Sequence, residues 1–157
     1  MIPAGDPWQK KPQAAKEDRL AMTRLALAGL AVEVNDCEVS RPGPSYAIET
    51  AILLKNQNPN AHLTWIIGSD ALSKLSTWNR FEELAKLVDF LVIQRPGYVT
   101  DNSVVHSDIE WSSVEIEALD ISATQIRKAI SEGRDISGLV PHEVARYIAE
   151  KRLYGAA

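Results

Sequence analysis

The chain has 157 residues, 45% of them apolar and 24% charged, with a formal net charge of −4. This profile fits one soluble globular domain over residues 1–157, long enough to bury a core without staples, and its acidic balance argues against general nucleic-acid binding. No apolar run nears the ~18 residues of a membrane span, the opening MIPAGD lacks the basic and apolar regions of a signal peptide, and the single Cys37 rules out an internal disulfide and suits a reducing cytoplasm.

Met1-Ile2 reads as the tail of a strand that Pro3 ends, and PAGDPWQKKP (3–12) as a loop marked by three prolines and a glycine. Lys10 and Lys11 sit in that loop, as solvated charge or as phosphate ligands. Ala14 to Ala28 is expected to be a helix. Glu17 and Asp18 suit its positive start, Leu20, Leu25 and Leu27 give it an apolar surface, and Gly29 ends it. Leu30 to Val34 alternates like a strand and continues loosely to Val39. RPGPS (41–45) breaks the chain, and Ile48, Ala51 and Ile52 then mark a helix from Ser45 to about Asn56.

The stretch LTWIIGSDALSKLSTW (63–78) begins as a buried strand over Leu63, Trp65, Ile66 and Ile67. It stops at Gly68 and turns helical at Ala71-Leu72. In an open α/β sheet, ligands collect beyond the carboxyl ends of strands. Gly68 would let a ligand approach the backbone, Asp70 would accept a hydrogen bond, and Trp78 would offer a flat face to a ring. The plainer alternative is a turn glycine, an N-capping Asp and a core Trp.

Phe81 to Leu87 is a further helix, with Leu84, Ala85 and Val88 turned inward. DFLVIQ (89–94) is a buried strand stopped by Arg95-Pro96-Gly97. Residues 98–112 read as an irregular surface loop, and Val114 to Ile116 as a last short strand before a turn at Asp120. Strands and helices alternating at this spacing predict βαβ units and a parallel sheet. A doubly wound sheet has its first strand at the centre, whereas this chain opens at the end of one. The expected result is a gap or an exposed edge between the strands at 30–34 and 63–67, open to pairing with another chain as a homo-oligomer.

ISATQIR (121–127) pairs Ser122 with Gln125 three residues on, the pattern of a capping box. Ile126, Ala129 and Ile130 form the buried stripe of the helix it opens, and Gly133 ends it. Capping accounts for Ser122 and Gln125 without any ligand. Thr124 and Arg127 are left over, and a helix N-terminus carrying hydroxyls and a guanidinium suits phosphate. A final helix from Pro141 to Lys151 buries Val144, Tyr147 and Ile148. His62, His106 and His142 share no ligand or triad spacing, so no metal centre is expected.

IPAGDPWQK (2–10), SYAIET (45–50), IGSDALSKLSTW (67–78), VIQRPG (92–97), ISATQIR (121–127) and LVPHEVARYIAEKRLY (139–154) follow one another in the order seen in bacterial nicotinate-nucleotide adenylyltransferases. The chain resembles that family over nearly its whole length. The resemblance implies a Rossmann-like nucleotidyltransferase fold, an α/β structure with a parallel sheet and flanking helices, and transfer of AMP from ATP to nicotinate mononucleotide in NAD biosynthesis. By matching position it places Asp70 and Trp78, with the adjoining Gly68, in the pyridine-nucleotide pocket, and Tyr46, Ala47 and Thr50 in the segment lining it. Lys10 falls on a phosphate-binding lysine; Ser122, Thr124 and Arg127 fall on the motif that grips ATP phosphates. Lys10 and Arg127 are thus the expected catalytic pair.

Ala47 stands where the family has threonine and Ala123 where serine is usual. The family's opening strand and glycine-rich H-x-G-H segment have no counterpart here, so the first strand and helix are expected to be missing and the chain impaired. The alternatives are an adenylyltransferase for another phosphate, such as nicotinamide mononucleotide or phosphopantetheine, and a non-catalytic nucleotide-binding remnant. Asp70 with Trp78 favours a pyridine ring over a pantetheine arm. The nucleophile implied is a phosphate oxygen with a second pKa of about 6, so no general base is required. Mg²⁺ is expected to ride on the ATP oxygens rather than in a protein cage.

Overall fold

The computed structural model describes residues 1–8, 11–94, 109, 111–116 and 121–156. In chain order its elements are α1 (Lys16–Ala26), α2 (Cys37–Ser40), α3 (Ala47–Gln57), β1 (Thr64–Gly68), α4 (Ser69–Leu72), a 3₁₀ turn (Leu75–Thr77), α5 (Phe81–Ala85), β2 (Asp89–Gln94), β3 (Trp111–Glu115), α6 (Ala123–Ser131), α7 (His142–Glu150) and a closing 3₁₀ turn (Leu153–Gly155). They form two compact units, one of Met1–Ser45 with Asp120–Ala157, the other of Tyr46–Leu119.

The second unit holds the sheet. Among the described residues its strand order is β1-β2-β3, all parallel, with Ile67 opposite Val92 and Val92 opposite Ser113. Side chains alternate across a strand, so Trp65 and Ile67, Phe90 and Val92, and Trp111 share the face turned to the core. Against that face pack Ile48 and Ala51 of α3, Leu72 of α4, Leu75, and Phe81 and Leu84 of α5. The Phe81 and Phe90 rings meet at 6.3 Å between centroids, tilted by 39°. β1 has a partner strand on one edge only among the described residues, and its Ile66 is 65% exposed.

The first unit packs helices. Ala129 and Ile130 of α6, Ile136, and Val144 and Ile148 of α7 form its core, and Met22, Leu25 and Ala26 of α1 lie against it. Val144 and Ile148 sit four residues apart, and Met22 lies three and four residues before Leu25 and Ala26, the spacing that stacks side chains on one helical face. The Tyr147 hydroxyl donates to Asp18 at 2.9 Å and ties α7 to α1. That bond holds the Tyr147 hydroxyl above its ordinary pKa.

The strands at 64–68 and 89–94 and the principal helices follow the sequence reading; several details differ. Leu30–Val34 forms no strand, and Leu30 and Val32 are exposed. Alternation makes a strand only where a ladder exists. Here the Met1 amino group donates to the Glu33 carbonyl at 2.6 Å and the Asn35 N–H to the Met1 carbonyl at 3.0 Å. The loose extension to Val39 is instead the short helix α2. β3 starts at Trp111, inside the segment read as loop, because its register with β2 pairs Trp111 with Phe90. Asp70 does not cap α4: Gly68 holds the cap position and Asp70 is the helix's second residue. Pro141 caps α7 from outside rather than opening it. The turns read at 95–97 and at Asp120, and most of the 98–112 loop, lie outside the described residues.

Phe90 is fully buried between α5 and the sheet. Phe90→Ala is therefore expected to cost about 3–5 kcal/mol of stability, read as a lowered urea midpoint at unchanged slope.

Candidate active site

The strand-to-helix passage at Gly68-Ser69 has no loop in it: β1 ends at Gly68 and α4 begins at Ser69. Gly68 has φ −79° and ψ 155°, ordinary extended backbone, so left-handed freedom is not its purpose. Ser69 and Leu72 turn inward, and Asp70 between them is exposed at the carboxyl end of β1. Trp78 follows the 3₁₀ turn, donating its backbone N–H to the Leu75 carbonyl at 2.9 Å. Its indole is part-buried against the core that holds Leu72 and Leu75. Tyr46 and Ala47, at the start of α3, lie against that same core. Thr50 is fully buried; its hydroxyl donates to the Tyr46 carbonyl at 3.5 Å, one turn back along α3.

A cavity of about 620 Å³ opens beside Trp78, flanked by Arg80, Phe81, Lys86 and Ile109. Arg80 is the residue here that sequence reasoning missed. It sits in the left-handed region at φ 50° and ψ 44°, a conformation costing roughly 1–2 kcal/mol for a residue with a Cβ. Its guanidinium donates to Glu83 at 2.9 and 2.6 Å and to Glu49 at 2.8 Å. The fork thus joins α5 to α3 next to Trp78, and its hydrogen bonds hold the Glu83 carboxyl below its ordinary pKa. The Arg-x-x-Glu spacing was visible in the sequence; the left-handed backbone and the link to Glu49 were not.

In the first unit, the capping box at α6 is complete. Ser122 Oγ accepts the Gln125 N–H at 3.2 Å and Gln125 Oε1 accepts the Ser122 N–H at 2.8 Å. One turn on, Arg127 Nη2 donates to Thr124 Oγ1 at 3.3 Å, which brings the two side chains left over by capping together. Ser122 and Thr124 are exposed and Arg127 is part-buried. Nearby, Tyr154 has its hydroxyl pKa raised, chiefly by burial and against the pull of Arg127 and Arg19. Lys10 lies outside the described residues.

The second unit thus has an aromatic face and a carboxylate near a strand's carboxyl end, and the first unit a capped helix start with a hydroxyl and a guanidinium. The family model described as cytidylyltransferase-like matches residues 1–129, so the chain is a member of that nucleotidyltransferase class. Within the class it belongs to the nicotinate-nucleotide adenylyltransferase family. It is 36% identical to a "Probable nicotinate-nucleotide adenylyltransferase" of Bordetella avium, over 100% of this chain and 82% of that protein. It is 39% identical to proteins of the same name from Streptomyces coelicolor, over 98% of this chain and 83% of that one, and Corynebacterium glutamicum, over 98% and 72%. The fold matches a Plasmodium falciparum nicotinic acid mononucleotide adenylyltransferase complexed with NaAD, with a TM-score of 0.82 at 19% identity over 99% of this chain and 82% of that one. The Rossmann-like nucleotidyltransferase fold expected from the motifs is the fold found.

The two halves of the helix start separate by substitution. Ser122→Ala removes the cap and is expected to cost about 1 kcal/mol, whereas Thr124→Ala on the exposed surface stays within ~0.5 kcal/mol. Thermal denaturation of both variants checks this.

Proposed function

We propose that this protein transfers AMP from ATP to nicotinate mononucleotide, giving deamido-NAD and pyrophosphate. The observation that carries the reading is agreement along nearly the whole chain, at 36–39% identity, with proteins of that name. A phosphate oxygen of the mononucleotide attacks the α-phosphorus of ATP. A new P–O bond forms there as the α–β anhydride bond breaks, and the electron pair leaves on pyrophosphate. Because the attacking phosphate is already ionised near pH 7, the protein's work is alignment and charge stabilisation.

In this reading Trp78 stacks on the pyridine ring. Asp70 accepts a hydrogen bond from a hydroxyl of the nucleotide, since a carboxylate would repel the carboxylate of the nicotinate ring. Tyr46 and Ala47 line the pocket from α3. Thr50, being fully buried, shapes that helix rather than touching ligand. Ser122 and Thr124 offer hydroxyls to ATP phosphates, Arg127 offers its planar fork, and Lys10 meets a phosphate as a point charge. These are donors for phosphate oxygens and not ligands for a cation, which fits ATP arriving with its Mg²⁺ already on its own oxygens. Among the described residues no three His, Cys, Asp or Glu side chains gather as a metal site. No described helix is long and apolar enough to cross a membrane; the part-buried free thiol of Cys37 suits the cytoplasm.

Turnover of nicotinate mononucleotide with MgATP tests the reading, and kcat/KM is expected to favour the acid over nicotinamide mononucleotide. Binding of both substrates without product would point instead to a non-catalytic nucleotide binder. The rate is expected to climb as the pH rises through about 6, where the attacking phosphate loses its second proton, and then to level off. Trp78→Ala is expected to raise KM for the mononucleotide about tenfold or more, together with some loss of stability from its packing against the core. Arg127→Ala is expected to lower kcat by ~10²–10³. Steady-state kinetics with each substrate varied in turn separates the two effects.

A further inference from the structure

Arg80 keeps an unfavourable backbone at the edge of the cavity beside Trp78. Among the described residues other than glycine, Arg80, Arg152 and Tyr154 have positive φ, and of these Arg80 alone lines that cavity. A Cβ makes this conformation strained, and glycine would adopt it freely. The ion pairs of Arg80 are weak compensation. The side chains of Arg80, Glu49 and Glu83 are 43%, 44% and 55% exposed, and water screens such pairs until they stabilise little. Strain that stability does not explain, next to a cavity, points to a role in binding.

The connection in question runs Trp78-Asn79-Arg80. On one side the Trp78 backbone N–H is bonded to the Leu75 carbonyl. On the other the Arg80 carbonyl accepts the N–H groups of Glu83 and Leu84 at 3.1 Å each, which seats it on the first turn of α5. The guanidinium closes on both carboxylate oxygens of Glu83, and its Nη1 reaches Glu49, 31 residues earlier on α3. Glu49 lies between Ile48 and Thr50, both fully buried, so the far end of the fork is tied to a fixed part of α3. All of these residues belong to the second unit. The backbone that carries the Trp78 indole is thus held from both sides.

We propose that Arg80 is a positioning residue for the mononucleotide, its fork to Glu83 and Glu49 holding the Trp78 indole in the pose that receives the pyridine ring. The inference rests on the function proposed above and adds to it a residue that acts through Trp78 and not on substrate. Its donors are committed to two carboxylates, and the planar fork is what lets one side chain bridge α5 and α3.

The test measures kcat, KM for each substrate and melting temperature in the full chain carrying Arg80→Gly or Glu49→Ala, alone and with Trp78→Leu, which keeps apolar bulk and loses the ring. Glycine takes the left-handed backbone without strain, so Arg80→Gly removes the fork while the melting temperature stays near the wild-type value or rises. KM for nicotinate mononucleotide is expected to rise about fivefold in Arg80→Gly, with kcat and KM for ATP within about twofold, since a slightly misplaced group can cost up to ~10²-fold. Glu49→Ala is expected to move the same constant in the same direction, by less. In the Trp78→Leu background each is expected to cost less than about twofold, because the ring they position is gone. Should Arg80→Gly fold poorly, Glu49→Ala decides alone by the same comparison. An unchanged KM for the mononucleotide, an equal rise for both substrates, or a cost undiminished in the Trp78→Leu background overturns the inference; all three leave adenylyl transfer standing. A wild-type protein that makes no deamido-NAD overturns the function and this inference with it.

Discussion

The direct passage from β1 into α4 is the constraint on which the rest of the second unit depends. β1 is held by parallel pairing with β2 along its whole length, from Thr64 opposite Asp89 to Gly68 opposite Ile93. With no loop to absorb error, the register that buries Ile67 also buries Ser69 and Leu72 and leaves Asp70 outward. A slip of one residue would reverse the faces. The outward position of Asp70 is therefore decided by the burial of Ser69 and Leu72, one and two residues away. The same core holds Trp78 in place through Leu72 and Leu75.

In the proposed function the acidic chain meets its anionic substrates by local means. A net charge of −4 gives no general attraction for a triphosphate. The start of α6 supplies instead a helix N-terminus, two hydroxyls and Arg127 within two turns. The capping box satisfies Ser122 and Gln125 from within the helix itself. Arg80, by contrast, is divided between Glu49 and Glu83 and so acts as a brace beside Trp78 rather than as a free cation.

Local chemistry was legible in the sequence, and chemistry spanning long separations was not. DFLVIQ is an unbroken apolar run between turn signals and formed β2 over the expected residues. Ser122 and Gln125 announced a cap because both partners lie within one turn. Leu30–Val34 misled because alternation describes the strand's faces and says nothing of a neighbour to pair with. Arg80's left-handed backbone leaves no trace in residue type, unlike Gly29 and Gly133, which were read as helix ends and take positive φ there. The grip of Ser45 on Gly5 and Asp6 joins residues about forty positions apart, and no periodicity encodes it. Of the candidate site, the sequence offered residue types and their order. The burial of Thr50 and the cavity beside Trp78 required coordinates.

The central claim is that the carboxyl end of β1, with Asp70 and Trp78, receives a pyridine nucleotide. A crystal structure of the protein with deamido-NAD tests it most directly. The account predicts the nicotinate ring lying flat against the indole of Trp78, with Asp70 accepting a hydrogen bond from the nucleotide. A ring seated elsewhere, with Trp78 and Asp70 untouched, would contradict it.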